Sequence, residues 1–215
     1  MSRRPSSWWR TCVLVCFGVA CGHVRSVYVA DPSLSPGAHE IKRIAVAAWT
    51  PADHPALESV LEAVASDYLK LRKNYLVQEP PAPALGRQGW QTLCQGKVEG
   101  VLFLRALHAS VHGQAPAEAM LTLSSELYRC HDGALMYRSE GALTRKDDDR
   151  SLRRMRAHYA EELGEDRGGY VPCAFSLLQE LLRPLPDPRL SEAELEEKIE
   201  LGALGRPSKS IATLP

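Results

Sequence analysis

The sequence predicts a single small α/β domain with a mixed sheet of about five strands, parallel at first and antiparallel later, covered by helices. Three observations predict it. The run Ile44-Ala45-Val46-Ala47-Ala48-Trp49 is continuously apolar, as a strand buried on both faces is. It opens a strand–helix–strand–helix–strand series, which favours parallel pairing with right-handed crossovers. The period then changes to two on either side of Asp132-Gly133, a dipeptide that signals a β-hairpin between such runs.

The chain begins outside that domain. Arg3, Arg4 and Arg10 give a positive start, and residues 11–20 are uncharged and mostly apolar. About 20 apolar residues are needed to cross a bilayer, so this run is a signal peptide rather than a span. It ends on Gly18-Val19-Ala20-Cys21, with the small residue before cysteine that lipoprotein processing prefers and Gly18 where such motifs usually have Leu. Cys12 and Cys16 follow Thr11 and Val15 and lack that small residue. Residues 1–20 are therefore expected to be removed, leaving Cys21 lipidated at the mature N-terminus. Residues 21–40, with Pro32, Ser33, Ser35, Pro36 and Gly37, are expected to be a flexible tether.

The domain is expected over 41–188. After its first strand, Leu57, Val60, Leu61, Val64, Tyr68 and Leu71 recur at helical spacing. The helix ends at Arg72-Lys73-Asn74, where cations suit the negative end of its dipole. Residues 75–78 form a short strand and 79–83 a proline-broken loop. Residues 89–95 make a short helix stopped by Gly96, and 98–107 a third strand around Val101-Leu102-Phe103-Leu104. Residues 120–129 and 134–143 are the hairpin. Residues 151–165 form a surface helix with few large apolar residues, and 173–182 a more apolar helix suited to cover the sheet. Pro184, Pro186 and Pro188 close the domain. In 189–215, Ser191-Glu192-Ala193-Glu194 is a capping box that opens an acidic helix, followed by a disordered tail.

Charge excludes some classes of partner. With 26 basic and 26 acidic residues the formal charge is zero, which leaves no field for nucleic acid. Of six cysteines, two leave with the signal and Cys21 takes lipid, so Cys94, Cys130 and Cys173 remain. Export implies an oxidising compartment and one disulfide. With three parallel strands, the helix ending at Cys94 finishes where the third strand begins, and the next strand runs back to Cys130. Cys94–Cys130 is the preferred pair, with Cys173 the rival partner for either.

No residue pattern points to catalysis. Cys130-His131-Asp132 lists a nucleophile, a base and an acid in a row, but triads converge from separate segments. His108 and His112 stand four apart, yet follow a strand into a loop with no ligand to complete a metal site. Asp147-Asp148-Asp149 lacks the spacing of a calcium loop. G-x-S-x-G, Walker and H-E-x-x-H motifs are absent. Arg150, Arg153 and Arg154 lie close to one helical stripe and are the candidate partner-docking residues, with lipid phosphate or a polyanionic wall component as the chemistry they would meet. No cofactor and no metal are expected.

The lipobox Cys21, the Lys42-Arg43-Ile44-Ala45-Val46 strand, the Glu99-Gly100-Val101-Leu102-Phe103 strand and the Leu127-Tyr128-Arg129-Cys130-His131-Asp132-Gly133 hairpin together resemble an uncharacterised family of envelope lipoproteins typical of myxobacteria. In layout the chain also resembles curli-secretion-type and penicillin-binding-protein-activator-type lipoproteins. The chain is expected to be a non-enzymatic binding or assembly module, held through Cys21 on the periplasmic face of the outer membrane, to which Gly22 rather than Asp after the cysteine points, and facing an envelope protein or cell-wall component. The alternative is a hydrolase or a small-ligand-binding periplasmic domain.

Overall fold

The computed structural model describes residues 24–29, 41–51, 54–78, 89–112, 118–146 and 150–204. Its strands are β1 (Val24–Val29), β2 (Arg43–Trp49), β3 (Leu76–Gln78), β4 (Gly100–His112), β5 (Glu118–Arg129) and β6 (Leu135–Lys146). They form one sheet in the order β1-β6-β5-β4-β2-β3. β2 pairs in parallel with β3 and β4, and the other ladders are antiparallel. The helices are α1 (Pro55–Arg72), α2 (Arg150–Leu163), α3 (Glu165–Gly168), α4 (Val171–Leu182) and α5 (Glu192–Leu204), with a 3-10 turn at Gly89–Leu93. The fold is thus the α/β domain with a mixed sheet that the sequence predicts.

One face of the sheet carries the main core. Ile44, Val46 and Ala48 of β2, Leu102 and Leu104 of β4, and Leu121, Leu123 and Leu127 of β5 pack under Leu57, Leu61 and Val64 of α1 and Leu177, Leu178 and Leu181 of α4. α4 runs antiparallel to β6. Cys173 near its start hydrogen-bonds the Leu143 carbonyl, while the Leu181 carbonyl near its end accepts from the Tyr137 and Ser139 hydroxyls. α2 is less superficial than predicted, because Leu152, Met155 and Tyr159 are buried beneath it. The Tyr159 hydroxyl donates to Asp67 on α1 at 2.6 Å.

β3 pairs with Arg43, Ala45 and the residue between them, and among the described residues the rest of that edge of β2 has no strand beside it. Two carboxylates one helical turn apart fill the gap. Glu62 accepts the Ala48 N–H at 3.0 Å and Glu58 the Thr50 N–H at 3.1 Å. This satisfies buried donors that would otherwise cost free energy. Burial nonetheless raises the Glu62 carboxyl above the ordinary range.

The structure corrects three expectations. Val24–Val29, expected within the flexible tether of 21–40, is the sixth strand, antiparallel to β6 from Val24 opposite Gly141 to Val29 opposite Tyr137. Six short residues gain order there from a ready-made ladder on an otherwise open sheet edge. The acidic helix of 189–215 is docked on the domain rather than separate from it. Lys42 Nζ meets Glu194 at 2.8 Å, Arg43 meets Glu197 at 2.5 Å, and Lys198 Nζ donates to the Lys73 carbonyl at 2.5 Å. His108 and His112 lie in β4 rather than a loop, since the strand continues past a bulge at Leu107; both are exposed. The first helix begins at Pro55, with His54 at its N-cap position.

Candidate functional site

The ladder fixes where the proposed anchor enters. Cys21 and residues 1–20, expected to be a signal peptide, lie outside the described residues. Three residues span at most about 11 Å, so Cys21 is held within that distance of Val24 and its rung opposite Gly141. β6 continues five residues beyond this rung to Lys146, about 17 Å at strand rise. The chain enters β1 from that same end of the sheet, because the two strands are antiparallel. β1 exposes Val27 and Tyr28, at 45% and 51%.

The sheet face away from the helices carries two clusters. Ala45, Ala47, Leu93, Val101 and Phe103 form a small second core, with Trp49, Trp90, Tyr128 and the two half-cystines packed against it. Cys94 and Cys130 are joined in a disulfide with Cα atoms 5.3 Å apart, which ties the 3-10 turn to the end of β5. Trp90 stacks on Tyr128 with ring centroids 4.5 Å apart. Gly133 takes a φ of 72° in the hairpin turn that follows, a region open to glycine. There Arg129 grips Asp132 at 2.5 Å and holds its carboxyl well below the ordinary range.

Glu126 anchors the second cluster. It is 1% exposed, although its position on β5 points it away from the helices. Oε1 accepts from Arg105 at 2.6 Å and Arg138 at 2.5 Å, and Oε2 accepts the Tyr128 hydroxyl at 2.8 Å. Burial and this bond push the Tyr128 phenol up to about 12. Arg105 Nε is buried with no partner among the described residues. Arg138 is half-exposed above the pair, and Tyr28 of β1 lies next to it across the ladder. The sequence reading missed this cluster. Arg105, Glu126 and Arg138 come from three strands, and only the register brings them together.

The remaining candidates are scattered. Arg150, Arg153 and Arg154 are all exposed at the start of α2. Beside them a shallow cleft of about 350 Å³ opens between α2 and α4, lined by Tyr68, Arg145, Leu152, Met155, Phe175 and Arg183 among others. Cys173 is a buried free thiol pushed up to about 12 by burial, which makes it unreactive. Asp147-Asp148-Asp149 lies outside the described residues. Among the described residues, no group of three or more His, Cys, Asp or Glu side chains could hold a metal ion, and no helix is long and apolar enough to cross a membrane.

No family model matches the chain, and no curated protein does. Solved structures resemble it in fold. The PelC dodecamer from Paraburkholderia phytofirmans is similar at TM-score 0.50 and 17% identity, over 69% of this chain and 89% of that one. A point variant of the same dodecamer is similar at TM-score 0.52 and 16% identity, over 78% and 97%. At such identities the likeness shows the fold alone. A lipoprotein from Neisseria meningitidis, at TM-score 0.39 and 11% identity over 56% and 96%, is too dissimilar to argue from.

Proposed function

We propose that the chain is an envelope lipoprotein, anchored through Cys21, whose α/β domain is a non-enzymatic binding or assembly module on the periplasmic face of the outer membrane. One observation carries the reading: the first strand of the fold begins three residues after the lipobox cysteine. A domain attached so closely is held against the bilayer rather than on a long tether. Two or three acyl chains suffice for stable attachment, so the fold needs no membrane-spanning element of its own.

Assembly is favoured over catalysis by what the surface presents. β1 is an edge strand with exposed Val27 and Tyr28, and an open edge is a template for another chain. The fold is shared with PelC, described as a dodecamer, which supports self-association by analogy of architecture. Cross-linking in cells followed by mass spectrometry tests this. Recovery of links between copies, or to one envelope protein, agrees with the proposal; a chain that stays monomeric and unlinked while turning over a substrate contradicts it. The α2–α4 cleft favours a second reading, a small-ligand-binding domain.

A further inference from the structure

The two ends of the strands carry different charged stripes. At one end, β2 begins beside β4 and the β5–β6 turn, and acidic α5 is clamped there by Lys42 and Arg43. Glu192, Glu196 and Glu200 of α5 are exposed at that end, spaced four apart on one helical stripe. β6 runs about 37 Å away from it, from Leu135 to Lys146. Lys146 is exposed at the far end, and α2 begins four residues later. Residues 150–156 hold four arginines; Asp147, Asp148 and Asp149 precede them, so residues 145–156 carry six cations and three carboxylates, a net basic stretch. Arg150, Arg153 and Arg154 are exposed and make no ion pair with another described residue.

The anchor enters from the end where α2 begins, because β1 is antiparallel to β6. We propose that Lys146, Arg150, Arg153 and Arg154 form a second membrane contact that takes the phosphates of anionic lipid headgroups and sets the domain upright, with α5 and the disulfide pointing away from the bilayer. The inference rests on the Cys21 anchor. Charge complementarity and covalent proximity select the occupant. An anionic membrane surface attracts basic segments within roughly a Debye length, about 8 Å at physiological salt. The acyl chains at Cys21 keep the domain beside such a surface. A soluble cell-wall polyanion would gain nothing from that proximity.

The test uses the mature lipidated protein in vesicles carrying a headgroup nitroxide, with a fluorophore on one of three exposed sites: Arg25→Cys on β1, Ala157→Cys on α2, or Glu196→Cys on α5. In vesicles containing phosphatidylglycerol, labels at 25 and 157 are quenched and the label at 196 is not. Replacing Arg150, Arg153 and Arg154 by Gln, using phosphatidylcholine alone, or adding about 1 M salt, where the Debye length falls to about 3 Å, returns site 157 to the level of site 196 and leaves site 25 quenched. No quenching at 25 removes the anchor and this inference together. Quenching at 25 but not at 157, or quenching at 157 that ignores charge, overturns this inference alone. Loss of quenching at 157 on adding a soluble wall polyanion assigns the face to the wall and overturns it as well.

Discussion

Val24 lies directly opposite Gly141 in the β1–β6 ladder, three residues downstream of Cys21. That rung joins the chain's proposed chemistry to its fold. It holds the proposed lipid site near the β1 edge, at the end of the sheet toward which β6 runs, with α5 and the disulfide at the opposite end. The disulfide, the α5 clamp and the Glu126 cluster then become the features a partner in the periplasm would meet or depend on.

The Glu126 cluster makes a graded prediction. Removing the carboxylate by Glu126→Ala leaves Arg105 largely buried and Tyr128 without an acceptor. Breaking a buried pair from one side is costly, and partial exposure of Arg138 reduces that to about 2–3 kcal/mol. Arg138→Ala removes a half-exposed partner and costs under about 1 kcal/mol. Chemical denaturation of both variants checks the order, and equal losses would contradict it.

The disulfide closes a separation of 36 residues. Chain-entropy arguments give such a crosslink about 3–4 kcal/mol. The double variant Cys94→Ser, Cys130→Ser is expected to lose that much in denaturant titration. Proteolysis should then begin near the 3-10 turn at Gly89–Leu93, which the disulfide ties to the end of β5. A variant as stable as the parent would show that Trp90 stacking and the second core hold the turn unaided.

Docking of α5 depends on pH with a definite sign. Hydrogen bonds from Lys42 and the Ser191 backbone depress the Glu194 carboxyl to about 2 in the folded protein. A depressed carboxyl contributes stability that is present above its unfolded pKa and is lost as pH falls toward the folded one. α5 is therefore expected to stay docked at neutral pH and to loosen progressively below about pH 4.5 toward pH 2. Amide exchange within 192–201 across that range reads the change. Arg43→Ala should weaken docking at every pH, because it removes Glu197's partner as well. Unchanged exchange down to pH 2 would mean that burial and backbone contacts hold α5 instead.

Gly100 has no room for a side chain. A Cβ there would lie 2.8 Å from Ile41 Cγ2 and 3.0 Å from the Tyr128 carbonyl oxygen. β4 is paired on both sides at this residue and cannot move away. Gly100→Ala is expected to cost about 1–3 kcal/mol, the scale of overpacking a core. A melting temperature equal to the parent's would contradict it.

Local pattern carried most of the fold. The apolar run before Trp49, the helical spacing from Leu57 to Leu71 and the Asp132-Gly133 turn each report their own element, while the placement of β2 between β3 and β4 comes from the structure. Cys94 and Cys130, the pair that strand order singled out, are the two joined in the structure. What stayed hidden was held by partners distant in sequence. Val24–Val29 has no strong pattern of its own and is ordered by β6, more than a hundred residues away. Glu194 and Glu197 read as a solvated acidic face until Lys42 and Arg43 are placed beneath them. Glu126 reads as one outward polar position in a period-two strand; its burial depends on arginines from the two neighbouring strands.

The central claim is the attachment of this domain at Cys21, and the intact mass of the mature protein purified from membranes tests it most directly. The account predicts a chain that has lost Met1–Ala20 and begins at Cys21 with a diacylglyceryl group on its sulfur. A mature chain that starts elsewhere, or that carries no lipid at Cys21, would contradict it.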